Sequence, residues 1–179
     1  MPLNESALVV LVPEAEPLVK PFRDQYDPSA AAGVPAHITL LYPFKLPREI
    51  DQAVLDDLRG CFQGFAPFRY SLALIRRFPD GVLYLAPNPD EPFRQLVLAI
   101  WDRYPEAPPY GGKWPEIVPH LSVAWVQDER RCDRIADDFT RASRGKLPIA
   151  ATAAEVTLMQ KRSGHWHMHA TFGLRHSSR

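Results

Sequence analysis

Apolar residues along this 179-residue chain recur in two rhythms, one strand-like and one helical, and their alternation lays out the elements. Residues 7–12 form a short, continuous apolar run rich in valine, the pattern of a strand covered on both faces. A segment rich in proline and glutamate follows and opens a helix expected to reach about Tyr26. Residues 27–35 read as a loop, and 37–41 as a strand bounded by Pro35 and Pro43. Over 47–62, Ile50, Val54, Leu55, Leu58 and Phe62 recur at helical spacing behind a proline in the first turn. Two strand-like runs, 69–78 and 82–86, flank Pro79-Asp80-Gly81 and predict a hairpin. A second amphipathic helix covers 91–104, with Phe93, Leu96, Val97, Ile100 and Trp101 on one stripe.

After a loop rich in proline and glycine over 105–119, the order begins again. Residues 120–126 predict a strand and 129–143 a helix with Ile135, Ala136 and Phe139 inward; 153–161 and 166–174 predict a hairpin across Ser163-Gly164. A strand headed by histidine, then a helix, then a hairpin therefore occurs twice, over 37–86 and over 120–174. The fold class this predicts is α+β: a single domain over 1–179 made of two intertwined, pseudo-symmetric lobes, each an antiparallel sheet with outer helices. An active-site cleft is expected between them.

Composition narrows the function classes. The chain is 46% hydrophobic, enough for a core of its own, and its 21 basic and 21 acidic residues cancel, which disfavours extended binding along a nucleic-acid duplex. The balance is uneven, with an acidic excess before His120 and a basic excess after it, so a local positive patch is available to the C-terminal part. Cys61 and Cys132 form no closely spaced pair and fit no metal-ligand spacing, which reads as two reduced thiols in a cytoplasmic protein. No signal peptide is recognisable, and no run approaches the roughly 20 apolar residues of a membrane span.

The candidate chemistry lies on the two histidine strands. Side chains at i and i+2 share a strand face, so His37 projects with Thr39, and His120 with Ser122, while Ile38, Leu40, Leu121 and Val123 turn to the core. Each strand thus offers a proton carrier beside a hydroxyl suited to a phosphate oxygen. Two such strands face to face supply attack at phosphorus: one imidazole removes a proton from the attacking oxygen, the other protonates the leaving oxygen, and the hydroxyls orient the group. One tetrapeptide of this kind carries no information, because His169-Ala170-Thr171-Phe172 fits the same pattern. The first two gain weight from context: a proline within two residues before each, a helix after each, and equivalent places in the duplicated order.

Residues 36–44, Ala-His-Ile-Thr-Leu-Leu-Tyr-Pro-Phe, and 119–124, Pro-His-Leu-Ser-Val-Ala, with 83 residues from His37 to His120, resemble the paired HxTx motifs of the 2H phosphoesterase superfamily, in its 2'-5' RNA ligase and RNA 2',3'-cyclic phosphodiesterase branch. The resemblance covers nearly the whole chain. It implies His37 and His120 as catalytic residues and Thr39 and Ser122 as substrate-binding hydroxyls, with Ser122 standing where threonine is common. It further implies a metal-independent phosphodiesterase that opens 2',3'-cyclic phosphates of RNA ends or small nucleotides, with 2'-5' ligation as a reverse activity. No cofactor and no metal are expected, and the partner is the RNA end or cyclic nucleotide itself, bound by a monomer with no membrane contact.

Two other readings use other features. His165, His167 and His169 alternate on one expected strand and suggest a metal-dependent hydrolase; the same cleft without turnover would make an RNA- or nucleotide-binding protein. Tyr42 and Trp125, each five residues after a motif histidine, are expected to face the core, and Tyr84 and Phe44 are read the same way. Lys161 and Arg162, at the last hairpin, read as ordinary surface.

Overall fold

In the computed structural model of the protein, which describes residues 5–175, the elements follow the predicted order. The chain runs through β1 (Glu5–Leu11), α1 (Glu16–Tyr26), the single turn α2 (Pro28–Ala31), β2 (His37–Leu41), α3 (Gln52–Phe62), β3 (Phe68–Arg77), β4 (Val82–Asn88) and α4 (Glu91–Arg103). It continues through β5 (Leu121–Trp125), α5 (Glu129–Ala142), β6 (Ile149–Ala153), β7 (Glu155–Arg162) and β8 (His165–Gly173). The strands form two antiparallel four-stranded sheets, ordered β2-β1-β7-β8 and β5-β4-β3-β6. This is the expected α+β class with two lobes, and each histidine strand is the edge of its sheet.

The lobes exchange chain. After β2, in the first sheet, comes the β3–β4 hairpin of the second; after β5 and β6, in the second sheet, comes the β7–β8 hairpin of the first. The helices cross over as well, since α1 packs on β5 and α4 on β2. One core results: Leu8, Ile38 and Leu40 of the first sheet join Leu72, Leu85, Leu121 and Val123 of the second, with Val19 of α1 and Phe93 and Leu96 of α4. Each such buried side chain contributes about 1.5–3 kcal/mol over its exposed state. The valine-rich run is apolar throughout because β1 has cover on both faces, Leu8 and Val10 toward this core and Ala7 and Val9 toward a smaller cluster with Val34 and Met159.

Four expectations change. The helix predicted over 47–62 starts at Gln52: Pro47–Glu49 is a separate 3-10 turn, Ile50 is extended, and the Asp51 carboxylate caps α3 by accepting from Val54 N at 3.0 Å. The expected loop over 27–35 contains α2, where Asp27 accepts from Ser29 N at 2.9 Å. The strand predicted over 153–161 is β7, starting at Glu155, and an unpredicted strand, β6, precedes it. β6 reads Ile-Ala-Ala-Thr-Ala, three alanines with only Ile149 and Thr152 as the branched residues that mark a strand. Finally, a β-bulge in β8 pairs Met159 with Met168 and Leu158 with Ala170, so His169 has no cross-strand partner and falls out of the alternation shared by His165 and His167.

Candidate functional site

The motif strands alternate as their sequences require. Ile38 and Leu40 are buried in the core, as are Leu121 and Val123, while His37, Thr39, His120 and Ser122 are half-buried on the opposite, open faces. β2 and β5 pack against one another, which brings the His37 and His120 rings within electrostatic reach of each other.

Both imidazoles are held in the same way. His37 Nδ1 lies 2.7 Å from the Pro35 carbonyl oxygen, and His120 Nδ1 lies 2.7 Å from that of Val118, in each case two residues back. A carbonyl oxygen can only accept, so Nδ1 carries the hydrogen and Nε2 is left free to take or give a proton. This is the pinned orientation that general acid–base catalysis needs.

Their surroundings differ. Burial and the Arg23 guanidinium push the His37 pKa down to about 4, while the Pro35 carbonyl and the Asp27 carboxylate act the other way. The two rings are close enough for a charge on His120 also to disfavour one on His37. Arg23 and Asp27 are a buried ion pair, Nε to Oδ2 2.9 Å, and Arg23 also donates to Ser29 Oγ at 3.1 Å. At His120, burial lowers the pKa, opposed by the Val118 carbonyl and the Asp80 carboxylate. Its ring sits edge-on to Phe78 at 4.9 Å and to Tyr84 at 5.4 Å, and Phe78 and Tyr84 stack on each other at 4.2 Å.

Two side chains at this cleft have no counterpart in the sequence reading. Tyr110, in the 105–119 loop, stacks over His120 at 6.4 Å, and its hydroxyl, pushed up to about 12 by burial, lies beside the Thr39 hydroxyl. It therefore touches one residue from each motif. A bond from Tyr110 N to Tyr42 O, 2.6 Å, fixes the loop, and Tyr110 holds a positive φ of 52°. The available signal was an aromatic set between Pro109 and Gly111-Gly112, where no core face exists to take it. Arg76 pairs across β3 and β4 with Tyr84, which pairs with Ser122 on β5, and its guanidinium counters the rise that burial gives the Tyr84 hydroxyl. A cation thus lies two strands from Ser122, suited to an anionic ligand.

Of the aromatics expected in the core, Phe44 and Tyr84 are buried, and Tyr42 is half-buried with its hydroxyl donating to Glu5 Oε2 at 2.7 Å. Trp125 is exposed, because β5 ends there and its indole N–H donates to Asp80 O at 3.2 Å. Arg162 donates to the Gln160 side chain at 2.8 Å, and Lys161 lies over the Trp166 ring at 6.0 Å. His167 and His169 line a shallow cavity of about 250 Å³ with Gln160, Arg162 and Met168. Among the described residues no three His, Cys, Asp or Glu side chains converge in a way that could hold a metal ion, and no helix is long and apolar enough to cross a membrane.

Residues 11–165 match the family model described as the 2'-5' RNA ligase superfamily. Among solved structures, the chain is similar to E. coli LigT complexed with 3'-AMP, at 16% identity and a TM-score of 0.63 over 96% of this chain and 98% of that one. It is also similar to TT0787 of Thermus thermophilus, at 18% identity and a TM-score of 0.60 over 97% and 100%. At these identities the likeness is one of fold. No curated protein matches the sequence.

Proposed function

The chain belongs to the 2'-5' RNA ligase superfamily of 2H phosphoesterases, and from that premise we propose that it opens 2',3'-cyclic phosphates of RNA ends or small nucleotides without a metal ion. The observation that carries this reading is the pair of imidazoles, each pinned at Nδ1 by a carbonyl two residues back, on two edge strands that face each other.

In this reaction a water oxygen attacks phosphorus as the P–O3' bond breaks, leaving a 2'-phosphate and a free 3'-hydroxyl. One Nε2 takes the proton from water, and the other donates a proton to the departing O3'. The Thr39 and Ser122 hydroxyls hold non-bridging oxygens, and Arg76 supplies positive charge nearby. Burial disfavours the charged form of both rings; at His37 Arg23 adds to burial, which suits that ring to be the base, whereas at His120 the Val118 carbonyl and Asp80 oppose it, which leaves that ring to be the acid. With a 5'-hydroxyl in place of water the same displacement, P–O5' forming as P–O3' breaks, leaves a 2'-5' linkage, and its reverse cleaves one. The 3'-AMP bound by LigT supports a nucleotide as the kind of ligand such a cleft accepts.

The test is a panel of 2',3'-cyclic mononucleotides, 2'-5' dinucleotides and RNA with a cyclic end, assayed with EDTA present and with the position of the product phosphate determined. Turnover to the 2'-phosphate is expected with chelator throughout. Activity that disappears with EDTA and returns with zinc overturns the metal-free mechanism; no turnover on any member overturns the substrate class.

A further inference from the structure

We propose that Glu16 is a positioning residue for His37 and acts on it through the Pro35–Ala36 peptide group. That single peptide is held at both ends. Its N–H, on Ala36, donates to Glu16 Oε1 at 3.0 Å, and its carbonyl oxygen, on Pro35, accepts from His37 Nδ1 at 2.7 Å. The two ends of a peptide share one resonance system, so an N–H that donates to a carboxylate enriches the carbonyl oxygen and strengthens the bond that oxygen accepts. Carboxylate, peptide and imidazole thus form one polarised chain that ends on the atom opposite the reactive Nε2.

Two further observations say that the carboxylate is built for this. Glu16 Oε2 is buried with no hydrogen-bond partner among the described residues, so no cation there neutralises the charge. The adjoining Ala36–His37 peptide is held as well, its Ala36 O accepting from Val12 N at 2.8 Å, which fixes the backbone on which the relay is built. Glu16 is the first residue of α1 and Arg23 lies seven residues on, at a spacing that returns to the same helix face. The charged and titratable groups that bear directly on His37 are Arg23, which disfavours its protonation, Asp27, which favours it, and His120, which disfavours it; the proposed relay adds Glu16 through the peptide.

The other histidine cannot have such a relay. Its holding carbonyl belongs to Val118, and the nitrogen of that peptide is Pro119, which carries no hydrogen to donate. The order Pro-Ala-His at one motif and Val-Pro-His at the other thus decides which imidazole a carboxylate can reach. The consequence is that support of the imidazolium through a carboxylate-held peptide exists at His37 alone, where it works against burial and Arg23.

This inference rests on His37 being a proton carrier in the proposed reaction, and the test separates the two. In Glu16→Gln the side-chain carbonyl still accepts from Ala36 N–H but the charge is gone. The His37 Nδ1 proton resonance is expected to move upfield in this variant as its hydrogen bond weakens, with that of His120 unmoved. On a cyclic nucleotide, kcat is expected to fall roughly tenfold with little change in KM, the low end of what outer partners of functional histidines contribute. A His37 resonance that stays in place overturns the relay, and so does wild-type kcat in the variant. If the wild-type protein turns over no phosphodiester, the functional reading fails and the resonance still decides the relay. Glu16→Ala, which removes acceptor and charge together, should move the resonance further; an effect confined to this variant would make the role merely structural.

Discussion

Beside β2, the His37 ring borders the buried Arg23–Asp27 ion pair and hangs from a peptide that reaches a carboxylate; beside β5, the His120 ring borders Phe78, Tyr84 and Tyr110 and hangs from a peptide ending in proline. The holding bond is the same length at both, 2.7 Å. Two halves with one geometry therefore differ in electrostatics. The repeated order of elements goes with the shared backbone device, and in the proposed mechanism a division into acid and base would follow from what each half packs behind its ring.

The strongest way to break this comparison is to remove either ring. His37→Ala and His120→Ala are each expected to cost 10²–10⁴ in kcat, with binding of a nucleotide product retained, as read by single-turnover rates and calorimetry. The double variant should lose little more than the worse single, because acid and base act on one displacement. A loss below tenfold at either ring would show that the halves are not equal partners.

The ion pair comes next. Arg23→Met leaves Asp27 buried without its cation, which costs about 3 kcal/mol or more when one partner of a buried pair is removed. Phe78→Leu, in the aromatic half, should cost nearer 1 kcal/mol. Urea titration reads both, and a single transition is expected in every variant, because the exchanged hairpins leave neither lobe a complete sheet of its own. Two separated transitions would contradict the single intertwined domain.

A smaller effect is expected at the residue that joins the halves. Tyr110→Phe keeps the ring on His120 and removes the hydroxyl beside Thr39. One hydrogen bond contributes about 0.5–1.5 kcal/mol net, so a several-fold loss in kcat/KM should follow. Tyr110→Ala should lose more, since the stack goes too. Equal losses would place the whole effect in the ring.

The positions of His37, Thr39, His120 and Ser122 were legible because period-two alternation is a local property, set by each residue's neighbours along its own strand. What surrounds the rings was not. Arg23 sits in the last turn of α1, where a charge normally faces water, yet it is buried in a helix that crosses to the other lobe and packs on β5. Tyr110 enters the cleft through a backbone bond to Tyr42, 68 residues earlier in the chain. The bulge that leaves His169 without a cross-strand partner was not legible either, because it arises from pairing with β7 and no periodicity within β8 announces it. β6 was hidden by its alanines.

The finest difference between the halves is in how folding couples to pH. The native pKa of His37 lies near 4, below the ordinary value of about 6.5 that the unfolded chain retains. Between these values the unfolded state binds more protons, so the His37 contribution is complete above about pH 6.5 and is lost as pH falls toward 4. His120 is shifted in the same direction, but there Asp80 offsets burial, whereas at His37 Arg23 adds to it. His37→Gln should therefore flatten the pH dependence of the urea midpoint in this window more than His120→Gln does. The slope removed is bounded by about 1.4 kcal/mol per pH unit for one group. If the two variants flatten the curve equally, the Arg23–Asp27 pair makes no electrostatic difference, and the asymmetry between the halves reduces to the Glu16 relay alone.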